Sequence, residues 1–129
     1  MHIMETPQKT LLIIDDDATL RQALARFFKD KGYKVSEAEN GKIGIKTAAA
    51  EKPMAILLDI MMPEMGGIQA IKALKETNPD LLALITLMSN SSDMNFLSEA
   101  VDLGVLKYVL KGDMSLEDIF KTVDAYAGK

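Results

Sequence analysis

Acidic residues follow two short apolar runs of this sequence. Residues 15–17 are three consecutive aspartates behind the run 11–14, and Asp59 comes directly after the run 55–58. Short apolar runs are typical of strands buried on both faces. Carboxylates that meet at the ends of such strands repel one another unless a cation lies among them, and an open set of oxygen ligands favours Mg²⁺. The aspartates therefore predict a divalent metal site.

A hydroxyl and an amine follow two further segments that are predicted to be strands. Ser89 comes after the segment 82–88, and Lys111 comes after the segment 106–110. The lysine can neutralise phosphate oxygens, the serine can donate a hydrogen bond to them, and a carboxylate such as Asp59 can itself accept a phosphoryl group. Each of these residue types alone is common at the end of a strand. The prediction of phosphoryl chemistry therefore depends on their joint placement.

The elements that must position these residues alternate along the chain. Strands are predicted at 11–14, 33–39, 55–58, 82–88 and 106–110, and an amphipathic helical pattern follows each of them; Ser115 is predicted to cap the last helix. This order, βα repeated five times, predicts an α/β fold with a parallel sheet covered by helices on both faces. Ligands of such sheets bind beyond the carboxyl ends of the strands, so the candidate residues are expected at one rim.

Length, charge and composition limit the possible functions. A chain of 129 residues suits one domain, which we expect at 9–127 behind a flexible N-terminal leader of residues 1–8. No apolar run approaches the roughly 20 residues that span a bilayer, and the leader does not resemble a signal peptide. The net charge of −4, without a basic cluster, argues against direct nucleic-acid binding, and the absence of cysteine fits a cytoplasmic protein.

Three stretches of the sequence resemble response-regulator receiver domains. They are LLIIDDD at 11–17, LLDIMMPEMGG at 57–67 and YVLK at 108–111, and the resemblance covers residues 9–127. The spacing is similar too, since Ser89 lies 30 residues and Lys111 lies 52 residues after Asp59. The resemblance implies a doubly wound, flavodoxin-like (βα)5 fold with strand order 2-1-3-4-5, and a role in phosphorelay signal transduction.

The same resemblance implies a role for each site residue. Asp59 would accept a phosphoryl group from the phosphohistidine of a sensor histidine kinase or phosphotransfer protein. Lys111 would pair with the phosphoryl oxygens. The implied ligands of Mg²⁺ are Asp16, Asp59, the backbone carbonyl of Met61 and, through water, Asp15.

A conformational switch is also implied by the resemblance. Ser89 would bond to the phosphoryl group, and Tyr108 would then rotate. The surface of the fourth helix, fifth strand and fifth helix would change its preference for a downstream effector or output domain, and phosphorylation-dependent homodimers would be possible. Such a protein modifies itself and is not a turnover enzyme.

Two residues at the rim of the phosphate pocket depart from the receiver pattern. Gly112 stands where receivers usually have a proline in a cis peptide, and we expect a trans bond and a looser loop here because a cis bond without proline costs about 2.5–4 kcal/mol. Asn90 stands where alanine or glycine is usual, and its larger amide is expected to narrow phosphoryl access.

Two other functions remain open on the sequence alone. Residues 15–19 match the D-x-D-x-T motif of haloacid-dehalogenase-like phosphatases, in which Asp15 would be the nucleophile and Asp17 the acid and base. The second alternative is a receiver-like interaction or dimerisation module that is never phosphorylated, which the departures at Asn90 and Gly112 would permit. Turnover of a phosphate ester separates the first alternative from a receiver, and a stable phosphoryl adduct separates the second.

Overall fold

Strands and helices alternate along the chain in a computed structural model that describes residues 8–90 and 94–127. Residues 1–7 of the predicted leader lie outside the described residues. The strands are β1 (Thr10–Ile14), β2 (Lys34–Ala38), β3 (Ala55–Asp59), β4 (Ile85–Ser89) and β5 (Lys107–Leu110). The helices are α1 (Ala18–Asp30), α2 (Gly41–Glu51), α3 (Gly67–Thr77), α4 (Met94–Asp102) and α5 (Leu116–Asp124), with a 3-10 helix at Pro79–Leu84.

All five strands form one parallel sheet in the order β2-β1-β3-β4-β5, which confirms the predicted (βα)5 topology. The register aligns the carboxyl ends of the strands. Asp59 pairs with Met88, and Ser89 pairs with Leu110. The last residues of β3, β4 and β5 therefore lie side by side at one edge of the sheet.

Side chains alternate between two apolar layers because successive residues of a strand point to opposite faces. On one face, Leu12 and Ile56 pack against helices α2, α3 and α4. On the other face, Leu11 and Leu57 pack against α1 and α5. Both faces of the sheet are covered, as near-continuous apolar strands require. In the described part of the chain, no helix has the length and apolar character needed to cross a membrane.

The predicted fourth strand begins three residues too early. The apolar run from Leu82 is divided between the 3-10 helix Pro79–Leu84 and β4, which begins at Ile85. Proline fixes a φ angle that suits the first turn of a helix, and Leu82 is buried there, so it satisfies the apolar pattern without belonging to a strand. The predicted cap of the last helix is confirmed: Ser115 Oγ accepts a hydrogen bond of 3.1 Å from the Asp118 N–H.

Candidate functional site

The sequence-predicted site residues meet at the carboxyl edge of the sheet. Asp15 directly follows β1, Asp59 ends β3, Ser89 ends β4 and Lys111 directly follows β5. Carboxylate oxygens of Asp15, Asp16 and Asp59 all lie within 4.8 Å of one another. The expected common rim is therefore present, with three acids drawn from two strand ends.

The three acids differ in their exposure to solvent. Asp15 is 0% and Asp59 is 4% exposed, whereas Asp16 is exposed. Lys111 Nζ reaches both buried carboxylates: it donates a hydrogen bond of 3.0 Å to Asp59 Oδ2 and lies 3.3 Å from Asp15 Oδ2. One ammonium thus faces two buried carboxylates, and the pocket carries an excess of negative charge.

This imbalance changes the acidity of Asp59. Burial raises the pKa of Asp59 most, the neighbouring charge of Asp15 raises it further, and Lys111 partly opposes both, which leaves the pKa at about 7. Burial alone would lower the pKa of Lys111, but its hydrogen bond to Asp59 and the negative charges of Asp59 and Asp15 raise it. Lys111 is therefore a fixed positive charge, and Asp59 gains from any additional cation.

Mg²⁺ fits the donor set of this pocket. Asp15 Oδ2 is buried and accepts no hydrogen bond within the described part of the chain, although buried polar atoms are nearly always paired. The other donors are the carboxylates of Asp16 and Asp59. An all-oxygen set that is open on one side suits an ion that keeps several waters and binds phosphate oxygens. A divalent cation would give Asp15 Oδ2 a ligand bond and reduce the repulsion between the acids.

Ser89 and Tyr108 occupy different environments. Ser89 is fully buried, and its hydroxyl donates a hydrogen bond of 2.9 Å to the backbone oxygen of Asn90. Tyr108 on β5 is 52% exposed. The Met61 N–H lies at the pocket as well and donates a 3.3 Å hydrogen bond to Asp59 Oδ1. The roles assigned to these residues from the sequence stay predictions.

The segment after Lys111 differs from the receiver pattern in its backbone support. The described peptide bonds include no cis bond, so the bond between Lys111 and Gly112 is trans, as expected. The Lys111 N–H donates to the Ser89 oxygen at 2.8 Å. The Leu110 N–H donates to the sulfur of Met114 at 3.3 Å. These two bonds hold the backbone of Leu110 and Lys111, without a proline after the lysine.

Helix α3 begins against the strand that carries Asp59. A Cβ atom on Gly67 would lie 2.7 Å from both the Asp59 oxygen and Ile60 Cα, so only glycine fits there without a backbone shift. The neighbouring Gly66 has more room, since a Cβ there would lie 3.5 Å from the Ile60 oxygen. The absence of a side chain at Gly67 therefore allows the start of α3 to lie close to the end of β3, which carries Asp59.

Asp17 has a structural task rather than a chemical one. Its carboxylate accepts hydrogen bonds from the N–H groups of Thr19 and Leu20 and caps α1. An aspartate at this position is a common N-cap. A haloacid-dehalogenase-like phosphatase would need the Asp17 carboxylate as its acid and base. Here this carboxylate is occupied by capping α1.

A comparison with protein families identifies the family of this chain. A response regulator receiver domain model matches residues 11–124, which includes all but the first residue of β1 and the whole rim described above. This chain belongs to that family. It is a receiver domain of the kind that works in two-component signal transduction.

Individual relatives agree with this assignment. The chain is 36% identical over 117 residues to the transcriptional regulatory protein YdfI of Bacillus subtilis, covering 89% of this chain and 53% of YdfI. It is 33% identical over 110 residues to a protein-glutamate methylesterase/protein-glutamine glutaminase of Archaeoglobus fulgidus, covering 84% of this chain and 31% of that protein. The receiver domain thus spans about half or less of these curated relatives.

A solved structure of similar fold is the chemotaxis protein CheY4 of Vibrio cholerae. The two chains superpose with a TM-score of 0.83 at 23% identity, over 92% of this chain and 98% of that one. At this level of identity the similarity establishes the fold, and it confirms the expected flavodoxin-like receiver architecture.

Sequence reasoning missed one group of contacts at the receiver site. Arg21 on α1 donates a hydrogen bond of 2.7 Å to the backbone oxygen of Asp15, and it also pairs with Glu37 on β2. An arginine in a helix and a glutamate in a strand carry no local signal of such a contact. Only the packing of α1 beside β2 brings them together.

Proposed function

We propose that this receiver domain, residues 9–127, accepts a phosphoryl group on Asp59 from a sensor histidine kinase or phosphotransfer protein. The observation that carries the proposal is that one ammonium, Lys111, faces two buried carboxylates: it bonds to Asp59 at 3.0 Å and lies 3.3 Å from Asp15 Oδ2, which accepts no hydrogen bond from the described residues. A merely structural acid would be neutralised by its partner. This pocket instead keeps an unbalanced negative charge, as a site for a cation and a phosphoryl group does.

The reaction is a displacement at phosphorus. A carboxylate oxygen of Asp59 forms a bond to phosphorus while the bond between phosphorus and the donor's imidazole nitrogen breaks. The electron pair of the broken bond stays on the imidazole, which is later reprotonated by solvent. Lys111 pairs with the charged phosphoryl oxygens, and hydrolysis by water returns Asp59 and inorganic phosphate. One such cycle modifies the protein itself and is not turnover of an external substrate.

The proposed ligands of Mg²⁺ are Asp16, Asp59, the backbone carbonyl of Met61 and, through water, Asp15. The metal would neutralise charge on the transferring group. The buried Asp15 Oδ2, which accepts no hydrogen bond from the described residues, and the proximity of the three carboxylates support this assignment. Asn90 and Gly112 border the pocket and are proposed to modulate access and the aim of Lys111.

The proposed signal passes from the pocket to the surface formed by α4, β5 and α5. Ser89 would exchange its bond to the Asn90 oxygen for one to the phosphoryl group, and Tyr108 would turn inward from its exposed position. This is a shift between two populations of one domain. The proposed readers of the changed surface are a downstream effector, an output domain or a second copy of the chain, and we propose that the domain works in the cytoplasm without binding nucleic acid itself.

Intact-mass measurement with acetyl phosphate and Mg²⁺ tests the proposal. We expect wild type to gain one phosphoryl group and Asp59→Asn to gain none, with loss of the adduct when a chelator is added first. The matched control is Asp17→Asn, which keeps a capping side chain and should be phosphorylated like wild type. Absence of an adduct on wild type would instead support the interaction module that is never phosphorylated.

A further inference from the structure

Arg21 connects the acidic loop, residues 15–17, to the neighbouring strand. Its Nη1 donates a hydrogen bond of 2.7 Å to the Asp15 backbone oxygen, and its Nε donates one of 3.0 Å to Glu37 Oε1 on β2. The Arg21 side chain is only 13% exposed and that of Glu37 is 31% exposed. The pair is thus partly shielded from water and bridges three elements: α1, β2 and the end of β1.

Asp15 is held at three of its four polar positions. Its N–H donates to the Ala38 oxygen at 3.0 Å, its carbonyl accepts from Arg21, and Oδ1 accepts from the Asp17 N–H at 2.9 Å. Oδ2 alone accepts no hydrogen bond from the described residues, and it lies 3.3 Å from Lys111 Nζ. The three hydrogen-bonded positions determine where Oδ2 points.

The bonding of Arg21 also keeps its charge out of the pocket. The guanidinium bonds to a backbone oxygen of Asp15 rather than to its carboxylate, while Glu37 balances the positive charge. Lys111 Nζ already lies 3.3 Å from Asp15 Oδ2, and a second cation paired directly with this oxygen would compete with a metal ion. The planar guanidinium of arginine donates to the Asp15 backbone oxygen and to Glu37 at once. The single ammonium of a lysine cannot reproduce this geometry.

We propose that Arg21, held by Glu37, is a positioning residue that orients the acidic loop for Mg²⁺ and thereby for phosphorylation. The effect on phosphorylation rests on the proposed function, whereas the effect on Mg²⁺ binding does not. Partners of metal ligands that do not touch the metal commonly change metal affinity or activity by roughly 10–100-fold when they are removed. The effect expected here is on the affinity of the unphosphorylated protein for Mg²⁺.

The test is a Mg²⁺ titration of the full chain, followed by the NMR shifts of backbone amides around residues 15–17 and 59–61. We expect Arg21→Ala to raise the Kd for Mg²⁺ roughly tenfold. Arg21→Lys should raise it less, and Glu37→Gln least, because its amide oxygen still accepts from Arg21. The matched control is Arg26→Ala, an exposed arginine of the same helix, which should leave the Kd unchanged.

Urea unfolding of the same variants separates positioning from simple stability. If Arg21→Ala lowers the stability but has the same Kd for Mg²⁺ as Arg26→Ala, the inference is wrong. A double variant, Arg21→Ala with Glu37→Ala, should bind Mg²⁺ no more weakly than Arg21→Ala alone, because Glu37 acts through Arg21. If Arg21→Ala does not fold, the Mg²⁺ titration of Arg21→Lys replaces it. An unchanged Kd for Arg21→Lys would then overturn the inference.

Failure of this inference can be told from failure of the proposed function. The Mg²⁺ titration needs no phosphoryl transfer, so a raised Kd in a protein that acetyl phosphate does not modify would retain the positioning role and reject the phosphorylation. An unchanged Kd for Arg21→Ala, in a protein that is phosphorylated on Asp59, would reject the positioning role and retain the proposed phosphorylation. A wild-type chain that binds no Mg²⁺ overturns the positioning role outright.

Discussion

The ammonium of Lys111 donates a 3.0 Å hydrogen bond to Asp59, 52 positions earlier in the sequence. This bond is the main force that opposes the effects of burial and of Asp15 on the pKa of Asp59. We predict that Lys111→Met moves the Asp59 titration in the metal-free protein from about pH 7 to higher pH. Carboxyl ¹³C NMR measures it, and Lys46→Met, at an exposed position, is the control; an unmoved titration would contradict the assigned cause.

Stability should depend on pH through the same carboxyl group. The folded, metal-free protein keeps Asp59 protonated up to about pH 7, whereas the unfolded chain loses that proton near pH 4. Between these pH values the folded state holds more protons, so this contribution to the free energy of unfolding is complete below about pH 4 and is lost as pH rises to about 7. Urea unfolding in chelator should show a smaller fall for Asp59→Asn than for wild type, and equal slopes would refute the prediction.

Mg²⁺ should offset this loss of stability at higher pH. Protons and the metal compete for Asp59, whose pKa is about 7, so Mg²⁺ should bind more tightly at pH 8 than at pH 6. We therefore expect saturating Mg²⁺ to raise the midpoint of thermal unfolding more at the higher pH. Removing the metal with a chelator should abolish the increase. Asp59→Asn should lose most of this pH dependence, because the competing proton is gone.

Two adjacent glycines give a matched test of the loop behind Asp59. Gly67→Ala would force a Cβ to within 2.7 Å of the Asp59 oxygen and Ile60 Cα, and we predict a loss of about 1–3 kcal/mol in the free energy of unfolding, the usual cost of overpacking. Gly66→Ala meets its nearest atom at 3.5 Å and should cost much less. Urea unfolding of the two variants measures the difference; equal costs would show that the backbone yields at Gly67.

Gly112 should tolerate a side chain. A Cβ there would meet nothing within 4 Å, and the residue has no positive φ. Gly112→Ala is therefore predicted to stabilise the protein by about 0.4–1 kcal/mol, because alanine reduces the freedom of the unfolded chain. The matched control is Gly32→Ala, at φ of 96°, which should destabilise it. A loss of stability in Gly112→Ala would mean that the loop after Lys111 uses backbone angles open only to glycine.

The alternation of strands and helices and the common rim could be predicted from local signals in the sequence, whereas the strand order came from the resemblance to receiver domains. Apolar runs identify buried strands, and a polar residue at the end of each run must lie at the carboxyl edge of a parallel sheet. The start of β4 could not be read in this way, since Leu82 is equally apolar in a 3-10 helix and in a strand. The Arg21 and Glu37 contact could not be predicted either, because the distance between a helix surface and a strand is fixed only by packing.

Met114 has a further consequence for how this protein meets its neighbours. β5 is an edge strand of four residues, and an edge strand offers backbone donors to which a foreign strand can pair, as in aggregation. The sulfur of Met114 already accepts from the Leu110 N–H and covers the end of that edge. Extension of the sheet into a second molecule is therefore obstructed at Leu110, and this favours recognition by side chains, whose fit can be selective, over pairing of the backbone, which accepts any strand.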